Sequence, residues 1–316
     1  MSYFMSLNPL SLFRAMPGSI AQGMIWGVMA LGVYITFRLL DFADLTVDGS
    51  IATGAAVSVM LIRAGVSPIA TLPIAFLAGA LAGMVTGLLN TALGIPGILA
   101  SILTQISLYS INLNIMGKAN QPVSVDNYPL VVSLRYVTDG SVSRLLFFLG
   151  MIVFLLALIA VMYWYFGTEQ GHAIRATGCN SNMARAQGIN TNFIKVLALM
   201  ISNGLVALSG ALLSQYQSFA DINMGRGAIV IGLAAVIIGE ALFGKLFRNF
   251  ALKLLAVAIG SVIYYAVIQA VVSLSGINSN YLKLLSALIV AVFLTVPHWK
   301  AKYFTKKRVT GGKSHA

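Results

Sequence analysis

Three aspartates crowd into one short stretch of an otherwise apolar chain: Asp41, Asp44 and Asp48, within LDFADLTVDGS. If that stretch is helical, spacings of three and four put the carboxylates on one face. Clustered acids at membrane depth would make a proton or cation site. A plainer chemistry is open to the same residues: Asp48 caps a helix beginning at Gly49, and the other two stand in water at a cytosolic mouth. We favour the plainer one, because a carboxylate deep in hydrocarbon is costly. Asp221 opens a second stretch of similar build, DINMGRGAIVIGLAA against DFADLTVDGSIATGAA. Each begins with an aspartate and a polar turn, then enters a half-length helix rich in glycine and alanine. Broken segments in matching places of two halves point to a transport path. Thr104, Gln105, Asn112 and Asn114 add polar groups to one apolar run, where they either line that path or bond helix to helix.

Other chemistry finds little support. His172, His298 and His315 have no metal-ligand company, and the lone Cys179 allows neither a disulfide framework nor a CxxC site. Gly239 to Leu246, GEALFGKL, nearly spells a phosphate-binding loop, but Leu246 stands where a magnesium-holding Ser or Thr is needed. No nucleophile lies beside a base in a pattern that suggests catalysis. The expectation is a non-enzyme with no catalytic residue, cofactor or metal.

The elements that would position these residues are membrane elements. The 316 residues are 59% hydrophobic and 9% charged with mean hydropathy +0.89, whereas soluble domains carry about 25% charged residues. Apolar runs near the length of a bilayer-crossing helix recur throughout. They fall at about 17–39, 49–62, 68–89, 95–116, 145–166, 193–214, 224–243, 251–272 and 282–296. The fold class is therefore all-α and polytopic, with about nine transmembrane elements, some of them broken or half helices. Residues 1–16 read as an N-terminal interfacial segment, 17–298 as the transmembrane domain and 299–316 as a basic tail. The net charge of +12 does not signal nucleic acid, because the basic residues sit in loops and at segment ends. No signal peptide is evident.

Orientation follows from the same residues. With the tail inside, Arg38, Arg175, Arg185, Lys195, Lys245, Arg248, Lys253 and the lysines and arginine of the tail lie on the inner side. Arg14, Arg63, Lys118, Arg135, Arg144, Arg226 and Lys283 lie outside. That bias places the C-terminus and the 167–192 loop in the cytosol. The N-terminus lies outside provided the short second element crosses fully.

The 167–192 loop carries its own punctuation, in GHAIRATGCNSNMARAQG from Gly171 to Gly188. A helical turn to Thr177 ends at Gly178 in the left-handed conformation. Asn180 or Ser181 then caps a short helix, Asn182 to Gln187, which Gly188 closes. Asn190 or Thr191 caps the next span. A mere connector is shorter than this, so the loop is expected to present its helix to a partner. Ala184, Ala186 and Gly188 are small enough for close docking, Met183 offers an adaptable apolar anchor, and Arg185 could meet an acidic rim.

These residues carry a resemblance. LLDFADLTVDGSIATGA, GHAIRATGCNSNMARAQGIN with the small-residue helix after it, and GLAAVIIGEALFG together resemble the permease subunits of bacterial ABC importers for branched-chain amino acids and ribose-like sugars. Glu240 departs from the pattern, standing where many relatives carry glycine. The nearest likeness is to a branch paired with a lipoprotein binding protein, some members of which are linked to aromatic amino acids. The resemblance implies a multi-pass protein of the bacterial cytoplasmic (inner) membrane. It implies a second permease subunit, with a homodimer favoured, a separate ABC ATPase, and an extracytoplasmic lipoprotein or periplasmic substrate-binding protein. It further implies that Asn180, Ser181, Asn182, Met183, Ala184, Arg185, Ala186 and Gly188 form the coupling helix docked on the ATPase. The solute would be small and polar, an amino acid by preference. The rival is an ion-coupled secondary transporter working through Asp41, Asp44 and Asp48.

Overall fold

Apolar runs with no water to satisfy their backbone must close their hydrogen bonds internally, and in the computed structural model they do so almost entirely as helices. The described residues are 9–275, except 125–126, 139–140, 245 and 248, together with 284, 287–288, 290–292 and 295. Residues 1–8 and the basic tail thus lie outside the described residues, as does most of the ninth apolar run.

In chain order the helices are α1 (Pro9–Tyr34, prolonged by a π-helical turn Ile35–Leu39), α2 (Thr46–Arg63), α3 (Pro68–Thr91) and α4 (Gly97–Met116). There follow α5 (Leu134–Thr138), α6 (Ser141–Phe166), α7 (Glu169–Cys179), α8 (Ser181–Ala186), α9 (Thr191–Gln217), α10 (Ala228–Phe243) and α11 (Phe250–Ser275). Among the described residues, 6 helices are long and apolar enough to cross a membrane, and α10 is a shorter apolar one. Of the expected interfacial segment, residues 1–8 lie outside the described residues, and from Pro9 the chain is already in the helix that continues into the first span.

The core is built around α1 and α9, whose middles are buried on nearly every side. α2 runs parallel to α9 and α3 runs antiparallel to it. Small residues set those distances. A Cβ placed on Gly54 of α2 would stand 1.9 Å from the Ala207 carbonyl oxygen of α9, and one on Gly79 of α3 would stand 2.3 Å from that of Asn203. Glycine there lets two backbones touch, which is how membrane helices gain packing without a hydrophobic drive between them. Gly23 and Gly27 meet Val262 and Ser261 of α11, and Gly83 and Gly87 meet Leu199 and Val196 of α9. All six glycines pack against other helices of the same chain. Gly54→Val should force α2 off α9 and destabilise the fold by about 1–3 kcal/mol, the usual cost of overpacking. The melting temperature of the detergent-purified chain reads this directly.

Hydroxyls stitch the same helices to backbone carbonyls. Ser202 and Ser209 of α9 donate to Gly32 and Ile25 of α1, and Ser261 of α11 donates to Gly23. The exposed leucines and isoleucines gather on α3, α4 and α6, the faces that hydrocarbon would cover.

One departure from an all-helical chain lies at the end of the bundle opposite α7 and α8. Strand β1 (Asn120–Pro122) pairs antiparallel with β2 (Phe219–Asp221), Gln121 facing Ala220. Arg63 at the end of α2 donates to the Gln121 side chain there. The pair ties the long loop after α4 to the end of α9.

The second element is longer than its apolar run, because the helix starts at Thr46 rather than Gly49. Leu39 and Leu40 touch α7 at one end of the bundle, whereas Asp44 already reaches Asn203 at the middle of α9. The chain therefore passes from the α7 end into the bundle as the non-helical stretch 40–45, and α2 carries it on to the opposite end. α2 ends at Arg63, beside Gln121 of the β1–β2 pair, at the end of the bundle opposite α7.

Candidate functional site

Two places draw the expected residues together: the loop helices at one end, and a polar junction at mid-depth.

In the loop, Asn180 is extended and its Oδ1 accepts from the Met183 amide at 3.0 Å, so Asn180, not Ser181, is the cap. Asn190 caps α9 the same way through the Phe193 amide at 3.2 Å. Gly188, at φ +82, closes α8 in the left-handed region that glycine enters without cost. Gly178 behaves differently from the expectation. It is helical inside α7, and a Cβ on it would lie 1.9 Å from the Leu39 carbonyl oxygen. It serves close approach: α7 presses its backbone onto the end of the first span.

The docking residues divide. Asn182, Met183, Arg185, Ala186 and Gly188 are exposed, Ser181 is half-buried, and Met183 is 64% exposed although apolar. Ala184 is 4% exposed and faces its own chain, so it cannot be a docking contact. Arg185 reaches back to donate to Thr191 Oγ1 at 3.2 Å. Behind this knob, Arg175 of α7 lies 4.2 Å over the Phe250 ring and donates to the Phe166 carbonyl. The loop is thereby fastened to α6 and α11 as well as α1.

At mid-depth the three clustered aspartates separate. Asp41 is exposed with φ +53, in a chain reversal after the π-helical turn. Asp44 is buried. Its Oδ1 accepts from the Thr46 amide at 2.9 Å, and its Oδ2 from Asn203 Nδ2 at 2.7 Å. Asn203 Oδ1 in turn accepts from Ser50 Oγ at 2.6 Å. Asp48 does not cap its own helix. Its two oxygens accept from the Gly227 and Ile229 amides at 2.9 and 3.1 Å, capping α10 from another element. A carboxylate there satisfies orphan amides and meets the positive end of the helix dipole. The two broken stretches thus meet each other, with Gly225 packed against the Asp48 carbonyl. Non-helical backbone at depth is tolerable when buried in protein in this way. The shared acidic face required for a proton or cation site is absent, because the stretch before Thr46 is not helical.

The polar residues of α4 divide too. Thr104 is buried and accepts from Thr86, which also pairs with Thr46 at 2.8 Å, so Thr104 bonds helix to helix. Asn112 is fully buried; its Nδ2 points at the Gly49 carbonyl from 3.5 Å and its Oδ1 has no partner among the described residues. Gln105 is half-buried beside Asn112 on an open cavity of about 330 Å³ between α2, α4 and the turn before α10. Asn114 is exposed and turned away from it. Asp221 sits in β2, where its Oδ1 accepts from the Asn223 amide at 2.7 Å, a turn-closing bond outside the cavity. Sequence reasoning passed over Tyr109 and Arg226, which also line the cavity. An arginine between two glycines at the break before a half helix is the signal that could have flagged Arg226.

At the loop end, Glu240 of α10 accepts from Arg38 Nε at 2.8 Å, with side chains 35% and 57% exposed. The acid that departs from the resemblance therefore has a local partner. Exposed pairs contribute little, so Glu240→Gln should shift stability by no more than about 1 kcal/mol, as a melt of the purified variant would read.

Residues 16–294 match the family described as branched-chain amino acid transport system / permease component. The tyrosine transport system permease protein of Clostridioides difficile is 40% identical over 275 residues, covering 87% of this chain and 88% of that one. The ribose import permease RbsC of Haemophilus influenzae is 24% identical over 300 residues, covering 92% and 84%. An autoinducer 2 import permease, LsrC of Yersinia pseudotuberculosis, is 31% identical over 216 residues, covering 67% of this chain and 58% of its own. Among solved structures, PsaBC from Streptococcus pneumoniae aligns over 93% of this chain at 17% identity with TM-score 0.48.

Proposed function

This chain belongs to the permease family of branched-chain amino acid transport systems, a family of multi-pass ABC importer permeases, and from that premise we propose the parts it plays. It forms the translocation path of a binding-protein-dependent importer in the bacterial inner membrane. It pairs with a second copy of itself, receives an amino acid from an extracytoplasmic binding protein, and is driven by a separate ABC ATPase docked on α8. The 167–192 loop and the C-terminus face the cytosol. The tyrosine transport permease among its relatives supports an amino acid as the solute.

The observation that carries the coupling role is the build of the loop. A six-residue helix, capped at Asn180 and closed at Gly188, holds an apolar Met183 out to solvent. An exposed apolar anchor on a rigid mount is what a docking contact needs. The mount is continuous with the path: α7 rests on Leu39 through Gly178, and α9 carries Asn203 to Asp44. A push on α8 therefore reaches both ends of the 40–45 stretch, at Leu39 through α7 and at Asp44 through α9. Asp44, Asp48, Gln105 and Asn112 stand along that stretch and its cavity.

Affinity purification of the tagged chain from its native membranes, with identification of what accompanies it, tests the proposal. A P-loop ATPase and a lipoprotein or periplasmic binding protein are the expected companions. A chain that comes through mild detergent with neither would overturn it.

A further inference from the structure

The cavity between α2, α4 and the turn before α10 carries two opposite charges that do not pair. Asp48 and Arg226 both line it. Gly227, the neighbour of Arg226, donates to Asp48, so the two side chains spring from adjoining backbone. Yet among the described residues no ion pair forms between them. Asp48 spends one lone pair of each oxygen on an amide, and a carboxylate offers about four such sites. The Arg226 side chain is exposed and has no acceptor among the described residues. Asn112, fully buried on the same wall, keeps an unpartnered Oδ1. Ionisable groups that far into a membrane are rare unless they serve a path or a ligand.

We propose that this cavity is a recognition site for a zwitterionic α-amino acid, held by Arg226 at its carboxylate and by Asp48 and Asn112 at its ammonium group. A guanidinium offers a planar fork that matches a carboxylate, which a lysine would not. The ammonium carries three donors, and the cavity's polar lining offers it acceptors in the remaining Asp48 lone pairs and Asn112 Oδ1. Beside these groups the cavity is lined by Ile106, Tyr109 and Ile222 as well as Gln105 and Ser110, so the side chain it suits is aromatic or apolar with room for a polar tip. A volume of about 330 Å³ lies at the small end of ligand pockets, which fits a single amino acid rather than a peptide or a sugar chain. The site lies where two broken segments abut at mid-depth, the usual place for a transported solute. The inference rests on the permease assignment and makes selectivity a property of this chain as well as of its binding protein.

The test uses the full chain in lipid nanodiscs, with L-phenylalanine as probe and two analogues that each lack one charge, phenethylamine and 3-phenylpropanoate. Binding is read by calorimetry and by the shift in melting temperature. L-phenylalanine should bind in the millimolar range or tighter, and each analogue should bind about tenfold more weakly or worse, the loss expected for one charge-assisted contact. Arg226→Ala should weaken L-phenylalanine by a similar factor, leave phenethylamine where it was, and be partly rescued in Arg226→Lys. Arg226→Gln, of closer size, guards against a purely steric loss and should behave as the alanine variant does. Equal binding of L-phenylalanine and phenethylamine, unchanged binding in Arg226→Ala and Arg226→Gln, or no binding of any probe would each overturn the site. If L-phenylalanine binds as expected while no ATPase accompanies the chain from native membranes, the importer proposal fails and this site stands. The converse result removes the site and spares the importer.

Discussion

Met183→Asp should separate the permease from its motor while leaving the permease folded. Docking would bury a methionine that is 64% exposed in the free chain, and losing that burial forgoes about 1.5–3 kcal/mol. A carboxylate in its place must be desolvated without a partner, a further cost of several kcal/mol. At 1.4 kcal/mol per tenfold, association should fall by about a thousandfold or more. The fold is spared, because the Met183 side chain is mostly in solvent and only its amide is engaged, by Asn180. An acid in the first turn of a helix is, if anything, favourable there. The measurement is co-purification of the ATPase beside uptake of labelled substrate. Both should drop to background in Met183→Asp, with the yield and melting temperature of the chain unchanged. A variant that retains its ATPase at full yield would contradict the docking role.

Asn203→Leu should have the second large effect, and it should act on the fold as well as on transport. Asn203 donates to Asp44 and accepts from Ser50, all three buried at the middle of the bundle. Leucine removes both bonds at once and leaves a buried carboxylate with Thr46 as its remaining partner. Hydrogen bonds to charged groups are worth about 1.5–3 kcal/mol each, and the stranded partners add their own desolvation penalty. Breaking such a site typically costs about 3–5 kcal/mol. The melting temperature of purified Asn203→Leu should fall sharply, and uptake should be lost. Adding Asp44→Leu to Asn203→Leu removes the stranded carboxylate, so the double variant should recover much of the stability but not the uptake. Additive losses in the two variants would show that the residues do not act as a unit.

How much of this was legible in the sequence depends on where each partner lies. Spans came through because hydropathy is a local sum, and the caps at Asn180, Asn190 and Gly188 came through because their partners sit three residues away or in their own backbone. The starts of elements were less legible. Thr46 to Asp48 look polar but are helical, since Asp44 caps that helix from outside the apolar run. Asp48 was misplaced for a different reason. Its partners are Gly227 and Ile229, some 180 residues away, and no local pattern announces a cap supplied by another helix. Gly178 looked like a helix end because glycine so often is one, whereas here it answers to a carbonyl on another element. Ala184 seemed a docking residue by its size, yet smallness suits an inner face as well as an outer one. The short β1–β2 pair, with three residues on each side, falls below the length at which alternation can be seen.

The central claim is that α8 is the point at which a separate motor grips this chain. A photoreactive amino acid placed at position 183, irradiated in native membranes under turnover, tests it most directly. The account predicts a covalent adduct of the permease with a P-loop ATPase, lost when the same probe is moved to the inward-facing position 184. Adducts with lipid alone, or none to any protein, would contradict it.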